Sequence, residues 1–197
     1  YKRQPLYTRL IITYEYRFNQ GHFRWYKNGW QDQDAVITNV QNDDDLQFRV
    51  CIKELLGVAR FNLDINVEFR QEGGNWQPLG AQGATDKPWR WRDDPTLTEH
   101  QTIDQARLSC TIENGKVHEN ACQNSESVAA NAHHEICIVL EPYNAVQGKT
   151  YEFVVNVEGK RLSKDDEVAT LVKCTMYSLP AVGYQYGDGL VSIQVGG

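Results

Sequence analysis

Few residues in this chain have the types and spacing that catalysis or metal binding requires. His133, His134 and Glu135 are consecutive, and imidazole and carboxylate groups are common ligands of zinc. Adjacent residues of a strand point to opposite faces of a sheet, so both imidazoles cannot easily reach one ion. We therefore interpret this triplet as a solvated loop end rather than a metal site.

Two other kinds of chemistry have weak support in the sequence. Asp32, Asp34 and the acidic run 43–45 could hold calcium through carboxylate oxygens, but EF-hand spacing is absent and acidic turns are commonly solvated. No Gly-x-Ser-x-Gly motif occurs, and three of the cysteines lie in apolar runs that disfavour a thiolate. The sequence predicts a protein that is not an enzyme and that has no cofactor and no metal.

The five cysteines are the main indication of the cellular compartment. Cys110 and Cys122 flank Asn114-Gly115, a dipeptide that suits a tight hairpin turn, so we predict a disulfide between them. A disulfide favours a secreted, extracellular or cell-surface protein. No signal peptide is recognisable and the chain begins at Tyr1, so we expect a processed product.

The other three cysteines each lie in an apolar, strand-like run. Either they are buried thiols, or two of them form a second disulfide and the third is buried or links two chains. The sequence leaves this pairing open. The three residues are Cys51, Cys137 and Cys174.

Charge and hydropathy exclude two classes of partner. The formal net charge is -6 and the basic residues are scattered, whereas a nucleic-acid surface needs clustered lysine and arginine. No apolar run approaches ~18 residues, so the sequence predicts no membrane span.

A pair of tryptophans offers a candidate sugar-binding platform. Trp89 and Trp91 share one face if their segment is extended, and exposed coplanar indoles can stack on carbohydrate. The alternative is that Arg90 and Arg92 stack on these indoles and cap a sheet edge. Exposure of the two indoles distinguishes these interpretations.

Period-two alternation predicts the elements that position these residues. In 61–69 the apolar residues Phe61, Leu63, Ile65, Val67 and Phe69 alternate with polar ones without exception, as in a strand with one dry face. Further strands are predicted at 22–26, 35–40, 46–52, 135–140, 151–157 and 168–176, with a turn at 19–21. This pattern predicts an all-β fold, an antiparallel Ig-like or jelly-roll-type β-sandwich with extended terminal strands.

The segment 6–18 is a further amphipathic strand, about twice the usual length of ~5–6 residues. Its apolar face ends at Phe18, and the C-terminal tail contains a shorter strand at 190–195. The apolar side chains that we predict to fill a groove are Leu6, Leu10, Ile12, Tyr14 and Tyr16.

Three stretches resemble a known domain. HFRWYKNG from residue 22, LQFRVCI from residue 46 and VEFRQ from residue 67 with Trp76 are similar to a β-sandwich domain of secreted bacterial and phage-associated surface proteins. The similarity spans about 20–174, whereas KELLG at 53–57 replaces an Asn-rich turn and the cysteines are extra. The resemblance implies a fold and a compartment but no reaction.

The chain divides into an N-terminal extension 1–19, the domain 20–174 and a C-terminal strand and tail 175–197. This arrangement resembles subunits of extracellular filaments in which a terminal strand of one subunit completes the sheet of the next. We therefore expect a secreted structural protein whose partners are copies of itself in a head-to-tail polymer. We expect the N-terminal strand to be the donor. The alternative is a carbohydrate-binding module that recognises surface glycans.

Overall fold

A computed structural model describes residues 18–164, 172–177, 183–186 and 189–192 of the chain. These residues are all-β, and none of them belongs to a helix long and apolar enough to cross a membrane. The strands are β1 Phe18–Tyr26, β2 Ile37–Val40, β3 Leu46–Glu54, β4 Arg60–Gln71, β5 Gln77–Pro78, β6 Trp89–Trp91, β7 Glu113–His118, β8 Cys122–Val128, β9 His133–Pro142, β10 Thr150–Val157, β11 Lys160–Arg161, β12 Ser163–Lys164, β13 Val172–Met176, β14 Gly183–Tyr186 and β15 Gly189–Ser192.

The strands form two larger, mostly antiparallel sheets and one small hairpin. The first sheet has the order β12-β1-β3-β9-β6, and β7 pairs with β9 in parallel. The second has the order β2-β13-β10-β4-β5, with β8 beside β4 and β11 beside β10. The remaining pair, β14 and β15, is antiparallel.

The two larger sheets share one hydrophobic core because each presents an apolar face. Aromatic side chains join them: the Trp25 ring of β1 lies 5.1 Å from Phe48 of β3 and 5.6 Å from Phe153 of β10. Such edge-to-face and tilted contacts add to the free energy gained by burial. The predicted strands 46–52, 135–140 and 151–157 are confirmed with slightly longer bounds.

A second, smaller core lies on the other face of the first sheet. Ile103 and Val117 pack there with Cys137 and Val139 of β9, and Leu97 covers them. Part of the long polar connection after β5 therefore acts as a cover for this face.

The turn predicted at 19–21 is wrong, because β1 continues through these residues. The Gln20 side chain is buried and its Oε1 accepts a hydrogen bond from Val155 N at 3.1 Å. Gly21 lies against Cys51, where a Cβ would come within 3.3 Å of the Cys51 Cβ. The glycine allows a close approach between strands, and the strand bulges between Gln20 and Phe23 instead of turning.

Candidate functional site

Several exposed apolar side chains occur near the point where β3 leads into β4. Among the described residues, seven large hydrophobic side chains are exposed, and five of them belong to this end of the molecule. We name these five the apolar end patch; they are Leu55, Leu56, Val58, Phe61 and Ile112. A cluster of exposed apolar side chains on a folded body indicates an interaction site.

The Glu54 carboxylate holds the loop that carries three residues of the patch. Glu54 is only 2% exposed, and its oxygens accept hydrogen bonds from the backbone of Leu56 at 2.9 Å, Gly57 at 2.8 Å and Val58 at 3.2 Å. The same carboxylate accepts a bond from Asn131 N at 3.0 Å. The loop is therefore fixed while its apolar side chains remain in solvent.

Phe61 belongs to the patch because β4 is bulged. The prediction that Phe61 shares the buried face of its strand is wrong, since its side chain is 71% exposed. The pairing with β8 shifts between Arg60 and Leu63, and Asn62 has a positive φ of 57°. The bulge interrupts the alternation, so only the residues from Leu63 onward reach the core.

Backbone hydrogen bonding to β9 places Ile112 near the other residues of the patch. Ile112 N donates a hydrogen bond to His133 O at 2.9 Å, and His133 is paired with Lys53 at the end of β3. The Ile112 side chain is 72% exposed. These pairings place Ile112 at one end of the first sheet, the same end at which the 55–58 loop begins.

The predicted donor segment precedes β1 in the sequence and lies outside the described residues. Leu6, Leu10, Ile12, Tyr14 and Tyr16 precede Phe18, where the described chain and β1 begin. Their role stays a prediction.

The alternative of a sugar platform at Trp89 and Trp91 is contradicted, because both indoles are buried, at 0% and 2% exposure. The Trp89 ring lies 4.8 Å from Phe153 and 5.5 Å from Tyr151. These side chains fill the core between the sheets and cannot stack on a ligand. Arg90 and Arg92 instead pair with Glu141, at 2.6 and 2.8 Å.

The hairpin predicted between Cys110 and Cys122 is wrong, because Asn114 and Gly115 lie within β7 rather than in a turn. Cys110 has a free thiol, and the Cys122 side chain lies outside the described part of the structure. The Cys110–Cys122 disulfide therefore stays a prediction without the turn that suggested it. Of the other three cysteines, Cys137 and Cys174 are free and buried.

Cys110 instead meets Cys51 and His133, whose ligand atoms all lie within 4.8 Å of one another. The buried Glu135 carboxylate positions the loop before Cys110, since it accepts hydrogen bonds from Arg107 N at 3.0 Å and Leu108 N at 3.1 Å. This thiol cluster was not predicted, because Cys51 and Cys110 are far apart in the chain.

A second cluster joins histidine and glutamate side chains between the sheets. Glu126 is 1% exposed, and its two oxygens accept hydrogen bonds from His118 Nε2 at 2.7 Å and His134 Nε2 at 2.9 Å. Burial raises the pKa of Glu126, but the hydrogen bonds and charges of these two histidines have the larger combined effect and lower it to about 2. His118 Nδ1 faces Glu99 at 4.0 Å, and Glu99 contacts His100 at 2.8 Å.

The expectation that 133–135 forms a solvated loop end is wrong, since these residues open β9 and Glu135 is fully buried. The two imidazoles do reach different partners, His133 the thiol cluster and His134 the Glu126 carboxylate. Of the five acidic residues considered for calcium, three pair with basic side chains: Asp34 with His22 at 2.5 Å, Asp44 with Lys27 at 2.6 Å and Asp45 with Arg92 at 2.5 Å.

Comparison with known protein families, with curated proteins and with solved structures returned no match. The resemblance to surface-protein domains stays a prediction.

Proposed function

We propose that this protein is a structural subunit of an extracellular filament or surface assembly, built head-to-tail by donor-strand complementation. The body would be a β-sandwich of the Ig-like or jelly-roll type. The observation that carries the proposal is the apolar end patch, on a body whose sequence also shows the alternation of an amphipathic strand at 6–18. The apolar end patch and the apolar face predicted for 6–18 could bury each other on contact.

The edge next to the patch suits an added strand. Among the described strands, β8 pairs only with β4, so its second edge can offer main-chain donors and acceptors. An added strand gains affinity from those hydrogen bonds and specificity from its alternate side chains. The start of β4, with Phe61, lies beside the Val128 end of β8, so one donor could use both surfaces.

The energy of such a joint is large. Burial of five large apolar side chains at ~1.5–3 kcal/mol each gives an upper limit of about 7–15 kcal/mol before the cost of ordering the donor. A contact of this kind that does not close into a ring produces a filament.

Two full-length variants test the proposal. The donor variant carries Leu10→Asp and Ile12→Asp, and the acceptor variant carries Leu56→Asp and Phe61→Asp. We expect wild-type protein to form filaments in negative-stain images and each variant to stay small by light scattering. Thr13→Asp, on the opposite face of the donor strand, is the matched control and should still polymerise.

Mixing the variants distinguishes exchange between chains from pairing within one chain. The donor variant keeps an intact acceptor surface and the acceptor variant keeps an intact donor strand, so the mixture should form heterodimers. If wild-type protein is a monomer and the mixture forms no dimer, the strand completes its own sheet and the proposal fails.

A further inference from the structure

We propose that Glu99, His100 and His118 form a binding site for a divalent transition metal, with Zn²⁺ the preferred ion. One ligand atom from each of these side chains lies within 4.8 Å of the other two. Two imidazole nitrogens and one carboxylate oxygen form a ligand set that zinc uses in sites where water occupies the fourth position. This site is independent of the proposed assembly.

The spacing of the ligand atoms suits a tetrahedral ion. Zinc bound at ~2.0–2.1 Å from nitrogen and oxygen ligands places neighbouring ligand atoms about 3.4 Å apart. His100 Nε2 lies 2.8 Å from Glu99 Oε1, and His118 Nδ1 lies 4.0 Å from the same oxygen. The two distances bracket the required value, so small side-chain rotations would suffice.

The buried Glu126 carboxylate orients His118. Its Oε1 accepts a hydrogen bond from His118 Nε2 at 2.7 Å, and His118 Nδ1 then faces Glu99. Metal-bound histidines usually donate their second ring proton to a carboxylate, which fixes the tautomer and makes the ligand more basic. Glu126 is itself held by His134 Nε2 and by Lys116 N at 2.8 Å.

The backbone positions the other two ligands. Glu99 Oε2 accepts a hydrogen bond from Glu119 N at 2.5 Å, which leaves Oε1 on the side of the histidines. His100 N donates to Val117 O at 2.9 Å, and His100 has a left-handed φ of 64°. A histidine in this conformation carries a backbone cost that a local function can justify.

Charge and access also favour a cation. Glu119, whose N donates to Glu99 Oε2, is a second buried acidic residue next to the cluster, and its carboxylate accepts a hydrogen bond from Asp94 N at 2.7 Å. The His118 side chain is wholly buried whereas the His100 side chain is 45% exposed. The site therefore has a fixed inner ligand and an open outer side through which an ion can enter.

The test is Zn²⁺ titration of the full-length protein by calorimetry, with Co²⁺ as a spectroscopic probe. Cys110→Ser serves as the background, because the ligand atoms of Cys51, Cys110 and His133 are close enough to compete for the ion. We expect one ion per chain and a Co²⁺ spectrum without a thiolate charge-transfer band. His100→Asn, which tolerates the left-handed backbone, should weaken binding at least about tenfold, and Glu126→Gln by about 10–100-fold.

His133→Asn is the matched control and should leave the affinity unchanged. The proposal fails if Cys110→Ser protein binds no Zn²⁺ while wild-type protein does, since the ion then belongs to the thiol cluster. It also fails if His100→Asn has wild-type affinity, or if neither protein binds the ion.

Discussion

Gly115 lies directly against the imidazole of His134. A Cβ at Gly115 would come within 2.4 Å of His134 Nε2 and 2.7 Å of Glu135 O. The ring cannot easily retreat because Glu126 holds it at 2.9 Å. We expect Gly115→Ala to lower the free energy of unfolding by about 1–3 kcal/mol through overpacking, measured by urea denaturation. Gly21→Ala, with a milder contact of 3.3 Å to Cys51, should cost less; an equal cost would contradict this explanation.

Glu54 makes the stability of the patch loop depend on pH. Burial raises the pKa of this carboxyl, but backbone hydrogen bonds from Asn131 and from 56–58 together lower it below its ordinary value of 4.5. A group with a depressed folded pKa stabilises the protein above its unfolded pKa, and that contribution is lost as pH falls through the folded pKa. We expect Glu54→Gln to cost about 1–3 kcal/mol at neutral pH.

The measurement is urea denaturation of wild-type protein and Glu54→Gln between neutral and acidic pH. The difference between the two proteins should shrink once the pH falls below 4.5. Asp86→Asn, at an exposed position, should follow the wild-type curve. A difference that does not change with pH would refute the role of the Glu54 charge.

Cys110 should be more reactive than the buried thiols of Cys137 and Cys174. A hydrogen bond from Cys51 lowers the pKa of the Cys110 thiol, whereas burial raises that of Cys137 to about 11 and raises that of Cys174 still further. Because the thiolate is the nucleophile, iodoacetamide should label Cys110 at least about tenfold faster than Cys137. Peptide mapping by mass spectrometry measures this ratio.

Cys51→Ala removes the hydrogen-bond donor and should slow labelling of Cys110 at neutral pH. Equal rates at Cys110 and Cys137 would contradict the prediction. Protection of Cys110 that a reductant reverses, with Cys122 in the linked peptide, would instead establish the disulfide expected from the sequence.

Trp89 should contribute strongly to stability. Its ring is fully buried and contacts Phe153 and Tyr151, so Trp89→Ala should lower the free energy of unfolding by about 3–5 kcal/mol. Trp76 is the matched control, because it is partly exposed and packs under the Arg70 guanidinium at 4.5 Å. We expect Trp76→Ala to cost about 1 kcal/mol. Thermal or urea denaturation measures both losses of unfolding free energy. Similar losses for the two variants would contradict the assignment of Trp89 to the core.

Local patterns predicted much of the strand content. Leu63, Ile65, Val67 and Phe69 are buried as their alternation indicated, because side-chain direction in a strand follows from the backbone alone. Phe61 continues the same pattern and is nevertheless exposed. The bulge at Asn62 depends on how β4 meets β8, and that pairing has no signature in the β4 sequence.

The Asn114-Gly115 dipeptide shows how a local signal is overridden. Asn-Gly favours a hairpin turn, yet both residues lie in β7, which pairs in parallel with β9. The Asn114 amide donates to Ile103 O at 3.1 Å, and Gly115 provides room for His134. Asn114 and Gly115 are therefore suited to contacts with residues that are distant in the sequence, which no short window of sequence contains.

The all-β class could be predicted from sequence, because the alternation of apolar and polar side chains is a local property of each strand. Which side chains meet depends instead on the tertiary structure. Glu99 and His100 reach His118, and Cys110 reaches Cys51, through strand pairings and covering loops that join distant parts of the chain. Burial of one shared core selects those pairings, and the free energy of that core depends on all the strands together.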